Sequence, residues 1–203
     1  MNNNDWVVET HPRWYKDVPD MEVLILGSFP PHSSRWHYPF YYPNKQNRFW
    51  KILSHISGIQ LHDYPKMDER FVEERYNIML ALKTGIQNLG YQIKRKGRSS
   101  SDTDIQIVRY HNILDIINKN KQIKHILLPG YAAPNSTYRA FIKYLKEKGI
   151  LVDEVEKPIP GKTTFYIEIK NKSIPCTVVN STSGRTSIPF HTLVKQFLVA
   201  YSG

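Results

Sequence analysis

Three short apolar runs in this chain each break abruptly into a polar, Gly- or Pro-containing loop, and that pattern narrows the fold more than any other feature. They are VLIL (23–26) before GSFPPHSS, HILL (125–128) before PGYAAPNS, and TVV (177–179) before NSTSGRTS. Runs this short and rich in β-formers, closed by Gly and Pro, read as buried strands. Between them lie segments with helical periodicity: 47–57, where Phe49, Ile52, Leu53 and Ile56 recur and Gly58 is the stop, then about 69–83, 137–148 and 188–200. Residues 105–118 also read as a helix, while TTFYIEIKN (163–171) alternates in part, giving a hairpin over 160–172.

Strands alternating with helices predict an α/β fold, a three-layer α/β/α sandwich around a mainly parallel central sheet. One domain covers 1–203, with 1–20 as an N-terminal arm. The segment GIQNLGYQIKRKGRSSSDTD (85–104), where Lys94, Arg95, Lys96 and Arg98 run into a Ser/Asp-rich loop, reads as exposed. Ligands of such sheets bind at the carboxyl ends of the strands, so chemistry is expected in the three loops.

Composition removes several classes of function. The 28 Lys and Arg exceed the 18 Asp and Glu by ten, which makes a polyanion the natural partner. A lone cysteine, Cys176, inside an apolar strand allows neither an internal disulfide nor a cysteine-ligated cluster, and fits a reducing compartment. The eight histidines show no metal-ligand spacing, and GxSxG, GxGxxG and Walker loops are absent. No segment has the apolar length of a membrane span and the N-terminus lacks a signal-peptide pattern, so the expected location is cytoplasmic.

Three stretches carry candidate chemistry. Gly27, Ser28, Phe29 and Pro30 can bring backbone close to a ligand, although an ordinary strand-ending turn accounts for the same residues. In YYPNKQNRFW (41–50), Phe49 and Trp50 read as core anchors, whereas Tyr42 offers a stacking face and Asn47 an amide for a base edge or a water. The loop Asn180, Ser181, Thr182, Ser183, Gly184, Arg185, Thr186 offers hydroxyls and a guanidinium for a phosphate backbone, with Ser187 as a helix cap.

Taken in order, LILGSFP, YYPNKQNRFWKIL and VVNSTSGRTS resemble the motifs of the uracil-DNA glycosylase superfamily, nearest its mismatch-specific and hypoxanthine-DNA glycosylase branches. The resemblance implies flipping of a damaged or mismatched base from DNA and hydrolysis of its N-glycosidic bond, with no cofactor or metal. It places Gly27, Ser28, Phe29 and Pro30 in the base pocket, Tyr42 on the base, residues 180–186 on the DNA strand and Arg185 near the wedge. It makes Asn47 a residue that orients or activates water, and SSSDTDI (99–105) makes Asp102 a second candidate.

Many members carry Asp or Asn where this chain has Phe29, so water activation falls to Asn47 or Asp102. Uracil and hypoxanthine are the first bases to expect, and no lysine is placed for strand cleavage. The expected protein is a monomer acting on DNA without a membrane. The alternative is a catalytically silent nucleic-acid-binding module of the same fold.

Overall fold

The computed structural model describes residues 6–202. From the N-terminus the chain forms β1 (Trp6–Thr10), β2 (Val23–Gly27), α1 (Phe49–Ser57), α2 (Arg70–Ala81), β3 (Thr84–Asn88), β4 (Gly90–Lys96) and β5 (Ile105–Tyr110). Then come α3 (Ile113–Lys119), β6 (His125–Pro129), α4 (Thr137–Glu147), β7 (Thr164–Ile169), β8 (Lys172–Val179) and α5 (Phe190–Leu198).

Five strands make the main sheet in the order β3-β2-β6-β8-β7. β3, β2, β6 and β8 run parallel, and β7 pairs antiparallel with β8 at the edge. Every residue of β2 is buried, as its unbroken apolar run requires of a central strand covered on both faces. Two groups of helices flank the sheet. α1 packs on α2 and α5, while α3 and α4 are joined where the Tyr144 hydroxyl accepts a hydrogen bond from the Leu114 N–H at 3.0 Å. The chain is therefore α/β with a mostly parallel sheet, consistent with three layers.

Phe49 and Trp50, expected as anchors, are 0% and 2% exposed, and Trp50 Nε1 donates to the Tyr41 carbonyl at 2.8 Å. Helix α1 stops where Gly58 takes a left-handed φ of 73°, a conformation that suits glycine. Cys176 is buried in β8. The hairpin expected as a decoration over 160–172 is instead β7 with β8, extends to Val179 and belongs to the main sheet.

Several expectations need correction. Residues 105–118 are not one helix: Ile105 and Ile107 alternate along β5, and the fourfold spacing of Ile113 and Ile117 belongs to α3 after a break at His111-Asn112. The stretch 84–96 forms two strands with hardly an apolar pattern. β3, TGIQN, is buried throughout because its polar side chains find partners, as Gln87 Oε1 does with the Tyr41 hydroxyl at 3.1 Å.

Nor is the stretch 85–104 exposed as expected: residues 85–88 are buried in β3, and Leu89, Ile93 and Arg95 are buried beyond it. The described part of the expected arm contains β1, which joins β4 and β5 in a second, antiparallel sheet of order β1-β4-β5; residues 1–5 lie outside the described residues. Ser187 is not the cap of α5, whose preceding residue is Pro189 with no side-chain capping bond.

Candidate active site

The carboxyl ends of β2, β3, β6 and β8 open onto a cleft of about 380 Å³. Its walls include Gly27–Pro30, Tyr42, Asn47, Asn88, the turn at Ser100–Asp102 and the loop at Ser181–Arg185. Residues of 27–30, 41–50 and 180–186 thus contribute to one concavity, while the stretch after HILL adds only Pro129; among the described residues Asp102 is the single lining carboxylate and Arg35 and Arg185 the lining cations.

Gly27 has a steric reason to be glycine. A Cβ there would lie 2.2 Å from Asn88 Oδ1 and 3.5 Å from the Tyr42 hydroxyl, so any side chain would displace the group that reaches in from β3. Beyond Gly27, Leu89 N–H donates to the Gly27 carbonyl at 2.7 Å and Gly90 N–H to the Ser28 carbonyl at 3.0 Å, tying the loop to the β3–β4 junction. Phe29 turns its ring toward that junction: it meets His11 edge to face at 5.6 Å, and a Cβ on Gly90 would approach its ring to 3.0 Å.

Asp102 is reached from the opposite side. The Ser28 hydroxyl donates to its Oδ1 at 2.7 Å. Burial raises the Asp102 pKa above the usual carboxylate range, while the Ser28 hydrogen bond and the Arg95 charge hold the rise in check. Arg95 fixes the geometry with its three-way fork. Nε binds Glu9 Oε1 at 2.9 Å, Nη1 donates to the Ser99 carbonyl at 2.6 Å and Nη2 to the Pro30 carbonyl at 2.7 Å. One buried cation therefore joins β1, the first loop and the turn that carries Asp102.

Tyr42 has a left-handed backbone, φ 50°, that bulky residues rarely adopt. Its ring stacks on Phe49 with centroids 3.7 Å apart, so one face is already occupied and only the other can serve a ligand. The hydroxyl is buried without a hydrogen-bond partner. Burial, with the Asp102 charge nearby, raises its pKa and keeps the phenol protonated.

Asn47 lines the cleft and also stiffens it. Its Oδ1 accepts from the Phe49 N–H at 2.9 Å and from the Thr182 hydroxyl at 2.8 Å, which uses both lone pairs. A backbone N–H can only donate, so the amide orientation is settled, and Nδ2 is the group left for a ligand. Asn47 thus offers a donor, not the acceptor oxygen that would take a proton from water.

The last loop is pinned to this turn. Arg48 donates from its backbone to the Thr182 carbonyl at 2.9 Å, and from its guanidinium to the carbonyls of Ile188 at 2.5 Å, Thr186 at 3.2 Å and Ser183 at 3.3 Å. Gly184 presses so closely that a Cβ would come within 2.6 Å of the Gln46 carbonyl oxygen. Thr182, 1% exposed, is turned inward and serves the structure. Ser181, Gly184 and Arg185 are exposed, Ser183 and Thr186 half-buried, and Asn180 accommodates the Gln196 side chain through its N–H at 2.9 Å.

Sequence reading missed Asn88, His11, Arg95 and Arg48. Asn88 ends a strand without periodicity, and His11 stands in no motif; only their pairing, Asn88 Nδ2 to His11 Nε2 at 3.0 Å, reveals them. Among the described residues no group of three or more His, Cys, Asp or Glu is arranged to hold a metal ion, and no helix is long and apolar enough to cross a membrane. No protein-family model matches this chain, and no curated protein matches it.

Proposed function

We propose that the protein is a DNA glycosylase of the uracil-DNA glycosylase type that releases a deaminated or mismatched base by hydrolysis, without strand cleavage. The observation that carries the reading is Asp102: among the described residues the one carboxylate lining the cleft, half-buried, and hydrogen-bonded to the Ser28 hydroxyl of the first loop. A base must leave the duplex stack to enter such a cleft, and a mispaired base costs least to extrude.

As the N-glycosidic bond breaks, the sugar becomes cationic and the base takes the bonding electrons. The ionised Asp102 stabilises the sugar cation and accepts the proton of the incoming water as its oxygen bonds to the sugar carbon. Asn47 Nδ2 supplies a donor to the departing base, and Asn88 Oδ1 supplies an acceptor. Deamination turns a bare ring nitrogen into an N–H beside a carbonyl, so a fixed donor and acceptor favour uracil or hypoxanthine over their parent bases. Arg185 and the exposed hydroxyls of its loop are assigned to the DNA backbone.

The test is incubation with oligonucleotides carrying uracil, hypoxanthine, xanthine or a G·T pair, followed by alkali. Abasic-site formation on at least one, lost in Asp102→Asn, supports the reading. No abasic sites on any of them at enzyme excess would sink it and leave a silent nucleic-acid-binding module.

A further inference from the structure

The second sheet, β1-β4-β5, has two unlike faces. Residues directly opposite one another in antiparallel strands share a face, and the register pairs Trp6 with Lys96, Val8 with Lys94 and Lys94 with Gln106. These five side chains therefore stand together, and all five are exposed, Trp6 at 44%. The alternate residues Ile93, Arg95 and Ile105 are buried against the body of the protein. Glu9, the acid of β1, lies on that inner side and is bound to Arg95. These five residues thus give the outer face two cations and an indole, with no acid among the five.

Its position gives the face a purpose. β4 runs from Gly90 to Lys96 and passes straight into the turn whose Ser100, Ser101 and Asp102 line the cleft. Lys96 and Trp6 are the pair nearest that turn, with Lys94 and Val8 one step further along the strands. A row of cations beside a flat aromatic ring is what a single nucleic-acid strand requires: phosphates meet the ammonium groups and an unpaired base stacks on the indole. A duplex can offer the phosphates but keeps its base faces stacked inside.

From this we infer that the outer face of β1-β4-β5 binds the single-stranded DNA segment that adjoins the nucleotide held in the cleft. The inference rests on DNA being the partner, as proposed above. It assigns Trp6 a stacking role and Lys94 and Lys96 phosphate contacts.

The experiment compares the wild type with Trp6→Ala and with Lys94→Ala/Lys96→Ala on a lesion-free oligonucleotide, as a single strand and as a duplex, over a range of salt. All three positions are exposed, and unchanged thermal melting of the variants establishes that folding is intact. Trp6→Ala is expected to weaken single-strand binding about tenfold, with the salt dependence unaltered because no charge is removed. The double variant is expected to make the log–log salt slope for the single strand shallower by about 1.4, the share of two phosphates.

Losses on the single strand in both variants, each at least as large as on the duplex, support the assignment. Any other pattern, including unchanged single-strand affinity or a loss confined to duplex, overturns it. Because the probe carries no damaged base, a protein that binds the strand yet releases no base leaves this surface standing and sinks only the glycosylase reading.

Discussion

Asn88 Nδ2 donates to His11 Nε2 at 3.0 Å, and this one hydrogen bond decides which end of the Asn88 amide meets the cleft. His11 Nδ1 lies 2.6 Å from the Pro12 carbonyl, which can only accept, so Nδ1 carries the proton. Burial, with His111 beside it, pushes the His11 pKa down to about 3, so the ring is neutral and Nε2 is bare. Asn88 must donate to it, and Oδ1 is left facing Gly27 and the cleft. Asn88→Leu is expected to lower kcat/KM for base release by about tenfold or more, and Asn88→Asp, whose carboxylate cannot donate to a bare Nε2, to drive His11 toward its protonated form. Steady-state kinetics on one oligonucleotide, with long-range nitrogen NMR to show the Nδ1-protonated tautomer of His11, checks both halves.

The same histidine makes the fold acid-labile. Its folded pKa of about 3 lies below the ordinary value of 6.5, so between those values the unfolded chain binds more protons than the folded one. Its contribution is complete above pH 6.5 and is lost as pH falls toward 3. Thermal melting across that window should show a decline in Tm that is shallower in His11→Gln.

Asp102→Asn should abolish most turnover and leave DNA binding. Loss of a general base costs about 10²–10⁴-fold, so kcat should fall on that scale while the Kd for a damaged oligonucleotide changes little. The raised pKa of Asp102 places the acid limb of kcat above the ordinary carboxylate range. Stability should move the other way. A carboxyl whose folded pKa is raised loses stability as pH rises through that pKa, so the Asn variant should melt higher than the wild type at neutral pH and lose its advantage below about pH 4.

Asn47→Asp separates scaffold from ligand contact. The carboxylate still accepts from the Phe49 N–H and the Thr182 hydroxyl, so Tm should hold, whereas the donor to the base is gone and kcat/KM should drop about tenfold. Asn47→Ala should lose both, with about 1 kcal/mol of stability forfeited through the missing cap. Denaturant melts alongside base-release assays tell the two apart.

Removal of the buried Arg95 should damage the fold and the site together. Arg95→Leu leaves the half-exposed Glu9 unpaired and strands the Ser99 and Pro30 carbonyls, and each buried acceptor left without a donor costs about 1–3 kcal/mol. Arg95→Lys should rescue little, since one ammonium cannot span three acceptors placed for a fork. Chemical denaturation of the three proteins measures the difference.

What could be read from the sequence followed from local pattern. Val23–Gly27 announces a central strand because both of its faces need apolar cover, and Phe49 and Trp50 announce an anchored helix by spacing. β3 and β4 escaped because Thr84, Gln87, Asn88 and Arg95 are polar residues buried with partners distant in the chain, and no periodicity marks such pairs. For the same reason Asp102, Asn47 and the 180–186 loop could be named from motifs, but the saturation of Asn47 Oδ1 by Thr182 and the lock of His11 on Asn88 needed coordinates.

Arg48 clasps the last loop to the aromatic turn through four carbonyls and so ties two walls of the cleft to one another. On the function proposed above, a duplex would meet a mould instead of a hand: the bending would fall on the nucleic acid, a weakly paired step would yield before a sound one, and discrimination would begin with the pliability of the substrate before any base edge is read.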